Sequence, residues 1–131
     1  MKLGSINVVV KDPDKALTTF LKVFGTNNVR QIIRIKGLSD TVDTVDGYYL
    51  MMKLTNFGIF TPRNSTGRMG EFLKKHGEGI HHIELHMGQD EFEYTYRKLK
   101  SFSWPVSEKP IFIGKLRLSK VIRSIIIFAF L

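Results

Sequence analysis

The chain opens the same way twice, and that constrains its architecture more than any single motif. Ser5-Ile6-Asn7-Val8-Val9-Val10 has the β-branched content of a strand and runs into the turn Lys11-Asp12-Pro13-Asp14. Asp12 is placed to cap a helix with Pro13 in its first turn. Leu17, Phe20, Leu21 and Phe24 then recur at helical spacing, and Gly25 is a natural stop. Ile80 to Met87 is again strand-like, 75 residues after Ser5. Asp90 and Glu93 offer a capping box, and Phe92, Tyr96 and Leu99 form an apolar helical face. The repeat is one of architecture more than of residues.

Each opening is followed by short apolar segments. In the first half Val29 to Lys36 reads as a strand, Gly37 to Gly47 as a turn-rich stretch, and Tyr48 to Lys53 with Phe57 to Thr61 as a hairpin. In the second half the segments lie around Pro110 to Ile113, Leu116 to Ile122 and Ile125 to Leu131. The expected class is α+β: two βαβββ modules at about 4–62 and 79–131, within one domain covering 1–131. The connector, 63–78, holds a short helix that Ser65 or Thr66 would cap and that Gly77 and Gly79 would close.

Composition narrows the function. A length of 131 residues suits a single domain with its own core. The absence of cysteine excludes disulfides and thiolate metal sites and fits a cytoplasmic protein. The longest apolar run, Ile125 to Leu131, is far too short to span a bilayer, and no leader-like segment precedes the first strand. A net charge of +8 invites a polyanionic partner, either nucleic acid or a phosphate-bearing cofactor such as coenzyme A. The basic residues are scattered along the chain, without a helix-turn-helix or an RNA-binding aromatic pattern, so no nucleic-acid partner is expected.

Two stretches carry a family resemblance: Ile6 to Gly25, INVVVKDPDKALTTFLKVFG, and Thr61 to Leu85, TPRNSTGRMGEFLKKHGEGIHHIEL. The chain resembles the vicinal-oxygen-chelate superfamily of glyoxalases, bleomycin-resistance proteins and extradiol dioxygenases. The FLKKHGEGIHHI segment is most similar to the methylmalonyl-CoA epimerases. The resemblance implies that the two modules pair into a curved mixed sheet around one cleft. It further implies a divalent metal (Co, Mg, Mn, Ni or Zn) held by four side chains and acting as a Lewis acid on a thioester or carboxylate oxygen. The ligands would be a His on the opening strand, a Gln or Glu closing the first half, the second His of the HH pair and a Glu on the last strand. Aligned by its motifs, this chain has Ser5, Gly58 and His82 at the first three positions, with Phe128 or Ala129 nearest the fourth. No histidine precedes His76, and no Asp, Glu or His follows Glu108, so the site is expected to be degenerate.

Residues that can still carry chemistry remain. With His82 facing the cleft, period-2 alternation puts Ile80, Glu84 and His86 on the same face. His82, Glu84 and His86 then have a metal-ligand spacing; the other reading is a polar cleft with Glu84 paired to a histidine or lysine. Glu84 and Asp46 are the candidate catalytic carboxylates, Asp46 as the epimerase-like base. Asp46-Gly47 is also a strong turn signal, which weighs toward a turn. His81 is expected beneath a helix. Arg63, Arg68, Lys74 and Lys75 are candidates for coenzyme A phosphates, or solubilise the surface. The functions implied are an isomerase or lyase of the epimerase or glyoxalase type, or a non-catalytic small-molecule-binding protein of the same fold. The ligand would be small, an acyl-CoA for instance. The family resemblance and the apolar Ile125 to Leu131 suggest a homodimer.

Overall fold

Asp12 starts the first helix as its chemistry dictates. Its carboxylate accepts the backbone N–H of Lys15 at 3.0 Å, and Pro13 opens α1 (Pro13–Phe24), which ends at Gly25 with φ +75°. The computed structural model describes residues 1–39, 42–102 and 123–128, the last stretch as backbone. The segments expected around Pro110–Ile113 and Leu116–Ile122 lie outside the described residues.

Among the described residues six strands form one mixed sheet in the order β2-β3-β4-β1-β5-β6. They are β1 (Lys2–Val9), β2 (Val29–Ser39), β3 (Thr44–Met52), β4 (Asn56–Pro62), β5 (Gly79–Met87) and β6 (Arg123–Phe128). β1 is central, parallel to β4 and antiparallel to β5. The first half is thus βαβββ, with β4 returning parallel to its opening strand. The second half begins likewise with β5 and α3 (Gln89–Ser101), but β6 runs antiparallel to β5. No helix among the described residues is long and apolar enough to cross a bilayer.

Alternation divides the sheet into two faces. On one, Val10, Leu50 and Ile59 are buried against Val8, Ala16, Leu17, Phe20 and Phe57, so α1 packs there. Burying an aliphatic side chain of this size contributes roughly 1.5–3 kcal/mol, which makes this cluster the anchor of the first half. The register places Ser5, Asn7, Gly58, Tyr49, His82 and Glu84 on the other face.

Several local expectations are corrected. The stretch from Gly37 to Gly47 is mostly strand. Gly37, at φ +59°, sits where the β2–β3 register shifts, so it makes a bulge and not a turn. Asp46-Gly47 lies inside β3 and opens nothing. Helix α2 (Arg68–His76) is capped by neither Ser65 nor Thr66; its N-cap is Gly67, and Asp43, far back in the chain, accepts the Met69 N–H at 3.0 Å. Helix α3 starts after Gly88, so Asp90 lies in its first turn and caps nothing.

Candidate functional site

The face opposite α1 carries a buried polar cluster that the register assembles from four strands. Asn7 on β1 lies opposite His82 on one side and Gly58 on the other. Ser5, two residues earlier, lies opposite Glu84 and Asn56. Tyr49 on β3 lies opposite Gly58. Ser5 and Asn7 are fully buried, and His82 and Glu84 nearly so.

Asn7 donates from Nδ2 to Ser5 Oγ at 2.8 Å. Its Oδ1 is buried without a hydrogen-bond partner. That oxygen lies over Gly58: a Cβ at position 58 would stand 2.2 Å from it and 2.4 Å from the Phe60 ring. A side chain at the position where the family resemblance requires a Gln or Glu would therefore have to displace Asn7 and Phe60. The motif alignment set Ser5 at the first ligand position; the strand register instead levels Asn7 with Gly58 and His82.

Glu84 sits between two imidazoles, 3.9 Å from His82 Nε2 and 3.6 Å from His86 Nε2. Burial alone pushes its carboxyl pKa up, but hydrogen bonds from His82 and Ser5 and the charges of His82 and His86 outweigh this and lower it. Glu84 is thus a buried, ionised carboxylate. Burial and then the negative charge of Glu84 raise the Tyr49 phenol, against hydrogen bonds with Asn56 and Ser5, so Tyr49 stays a proton donor beside it. Tyr49 was not a candidate from sequence; its place depends on the β3–β4 register, which no local signal encodes.

His82, Glu84 and His86 are together on one face, but among the described residues no three His, Asp or Glu are disposed to share a metal ion. Each carboxylate oxygen of Glu84 already faces a different imidazole. His82 Nδ1 lies 2.8 Å from His81 Nδ1, so its second nitrogen is occupied as well. The donor set fits an imidazole–carboxylate chain better than a chelate.

Ile80 does not share this face. The β1–β5 register slips between Asn7 and Val8, so His82 pairs with Asn7 and Ile80 with Val8, and His81 is the extra residue of a bulge. The slip turns Ile80 to the α1 side, where it is half exposed. The His81 ring meets Phe72 of α2 edge-on and the His82 ring at right angles. Burial first, then His82 and Arg68, lower its pKa to about 4.

A depressed folded-state pKa means that the unfolded chain binds the extra proton first. The stabilising term is complete above about 6.5 and is lost as pH falls toward about 4. Denaturant titrations at a series of pH values should show a loss of about 3 kcal/mol over that window. In His81→Phe, which keeps a ring against Phe72, that acid limb should be much shallower; an unchanged limb would assign the titration to another group.

Asp46 stands elsewhere. Its register partner is Thr61, which puts it on the α1 face, away from Glu84. Arg63 donates to it twice, from Nε at 2.8 Å and Nη2 at 2.7 Å, and the Gly37 N–H donates at 2.8 Å. The Arg63 hydrogen bond, then that of Gly37, hold its pKa down to about 2. Asp46 is therefore a strut joining the β2 bulge to the end of β4, and its geometry is unsuited to a base for the cluster around Glu84. The four basic candidates do not converge: Arg63 is tied to Asp46, Arg68 is half-buried near His81, and Lys74 and Lys75 are exposed on α2.

The chain matches no protein-family profile, and no curated protein matches its sequence. Solved structures do match. Methylmalonyl-CoA epimerase from Mycobacterium tuberculosis superposes with a TM-score of 0.59 at 16% identity, over 87% of this chain and 72% of that one. A variant of Streptomyces coelicolor methylmalonyl-CoA epimerase in complex with 2-nitronate-propionyl-CoA gives 0.60 at 16% identity, over 88% and 81%. A hypothetical protein from Bacillus halodurans C-125 gives 0.61 at 16% identity, over 87% and 78%. At that identity the likeness speaks to architecture: the chain has the fold of the methylmalonyl-CoA epimerases.

Proposed function

We propose that this protein binds a small acyl ligand, with an acyl-CoA as the reference compound, on the sheet face around Glu84, and that it does so without a resident divalent metal. The observation that carries the reading is the packing at Gly58. Asn7 and the Phe60 ring fill the space from which a Gln or Glu would reach an ion. In place of a Lewis acid, the face offers the Tyr49 hydroxyl, Ser5, the Asn7 amide and the two imidazoles beside Glu84. Such a set orients a ligand by hydrogen bonds. The acyl-CoA class rests on the architectural likeness to proteins solved with methylmalonyl-CoA and 2-nitronate-propionyl-CoA.

A catalytic reading rests on one observation, the buried and ionised Glu84 between two imidazoles. An ionised carboxylate so placed can accept a proton, weakly because its pKa is lowered, and it would suit an isomerase or lyase that moves a proton without metal. Assembly as a cytoplasmic homodimer completes the proposal. It is supported by the apolar Ile125 to Leu131 and the absence of cysteine.

Equilibrium dialysis of the purified protein against cobalt, magnesium, manganese, nickel and zinc, followed by calorimetric titration with propionyl-CoA, tests the reading. The expected result is less than one tenth of an equivalent of any metal, with propionyl-CoA binding unchanged by chelator and weakened about tenfold or more in Glu84→Gln. One tightly held equivalent of metal that His82→Ala releases would overturn it. Sedimentation at high concentration should give a dimer, and a clean monomer would remove that part.

A further inference from the structure

Neighbouring side chains of a regular strand point to opposite faces. The bulge in β5 breaks that rule and lets the rings of His81 and His82 meet. Their Nδ1 atoms are 2.8 Å apart and the ring planes cross at 85°. Phe72 of α2 meets the His81 ring edge-on and braces it. His81 and His82 are only 6% and 5% exposed, so the hydrogen bond between them is sheltered from water.

An N···N contact of this length holds one proton, and two neutral arrangements supply it. In the first, His81 donates from Nδ1 and His82 carries its own proton on Nε2. In the second the roles are reversed and His82 Nε2 is bare. Burial first, then His82 and Arg68, keep His81 uncharged above about 4, so it holds a single proton. His82 Nε2 faces Oε1 of Glu84, a buried anion, at 3.9 Å. A bare nitrogen there sets a lone pair against a carboxylate, whereas an N–H sets a donor toward an acceptor. The first arrangement is therefore favoured, with His81 as the donor. A separation of 3.9 Å is long for an N–H···O bond, so Glu84 orients this proton without saturating it.

We propose that His81 is a positioning residue of the Glu84 face: by donating to His82 Nδ1 it locks the His82 proton on Nε2, and His82 then offers that N–H to the carbonyl oxygen of a bound acyl thioester. The inference rests on the reading of this face as an acyl site. It adds what the face selects, the thioester carbonyl, and it removes His82 as a ready metal ligand. One of its nitrogen lone pairs is taken by His81, and the other nitrogen carries a proton.

Two measurements test it. With isotope-labelled histidine in the full chain at about pH 8, imidazole nitrogen spectra should show His81 protonated on Nδ1 and His82 on Nε2. A scalar coupling should connect the two Nδ1 nuclei across the hydrogen bond. The reversed pair, or a His82 protonated on both nitrogens, would overturn the lock. Calorimetric titration then compares propionyl-CoA with S-propyl-CoA, the thioether that lacks the carbonyl. The wild-type protein should prefer the thioester about tenfold or more. In His81→Phe, which keeps a ring against Phe72 but has no donor, the preference should fall to about twofold or less. His81→Asn, whose amide can stand near the Nδ1 position and donate, should restore it. A purely packing role would favour the phenylalanine over the asparagine. A preference that His81→Phe leaves intact, or that His81→Asn fails to restore, would thus overturn the positioning role. If neither ligand binds, the acyl reading of the face falls, while the spectra still decide the lock.

Discussion

Replacing Gly47 with alanine is expected to destabilise the protein by about 3 kcal/mol or more. Gly47 sits in the middle of β3 at φ +144°, opposite Phe60 of β4. A Cβ there would stand 1.9 Å from the Ile59 carbonyl oxygen. The obstruction is main chain, so no rotamer change relieves it. The β3–β4 ladder would have to part where it carries Tyr49 and Leu50. Gly25→Ala is the matched control. Its φ is also positive, at +75°, but nothing lies within 4 Å of its Cβ, so it should cost only the backbone strain, about 1 kcal/mol. Denaturant melts of the two variants check the difference. Equal losses would show that conformation matters and the contact with Ile59 does not.

The second large effect concerns proton exchange. At the α-carbon of a methylmalonyl thioester, deuterium exchange catalysed by this protein is expected to be independent of added cobalt or magnesium. It should run at least about a thousandfold below that of a complete metal-bearing epimerase site. A Lewis acid on the thioester oxygen contributes several kcal/mol, and each ~1.4 kcal/mol is tenfold in rate. A carboxylate base acting alone contributes about a hundred- to ten-thousandfold. Glu84 is the group placed to give that smaller contribution, so residual exchange should vanish in Glu84→Gln and survive Asp46→Asn. Exchange that rises with metal and disappears in His82→Ala would refute both this prediction and the reading of Gly58.

What could be read from the chain was set locally. The Asp12 cap and the stops at Gly25 and Gly77 depend on residues three or four apart, and the structure realises each of them. What could not be read depends on a strand neighbour. Gly37 looks the same in a turn and in a bulge until β3 supplies Asp46 across from it. The α2 cap that the sequence suggests is Ser65 or Thr66, the adjacent hydroxyls, while the group that serves it, Asp43, arrives through tertiary contact. Unbroken alternation puts Ile80 on the face of His82, and a single extra residue at His81 reverses that. Within the site, His82, Glu84 and His86 share a face because the alternation between them is undisturbed. Tyr49 and the crowding at Gly58 were hidden because they arise from side chains on three different strands.

That crowding has a historical side. Position 58 cannot accept even a methyl group while Asn7 Oδ1 and the Phe60 ring hold their places. Asn7 in turn is fixed by Ser5 and lies across from His82. A lineage drifting toward a liganded face would have to change position 7 or 60 before position 58, and each first step would leave a hole or a broken hydrogen bond with nothing gained. Substitutions at these sites are contingent on one another in order as well as in identity, so this part of the sheet behaves as a ratchet.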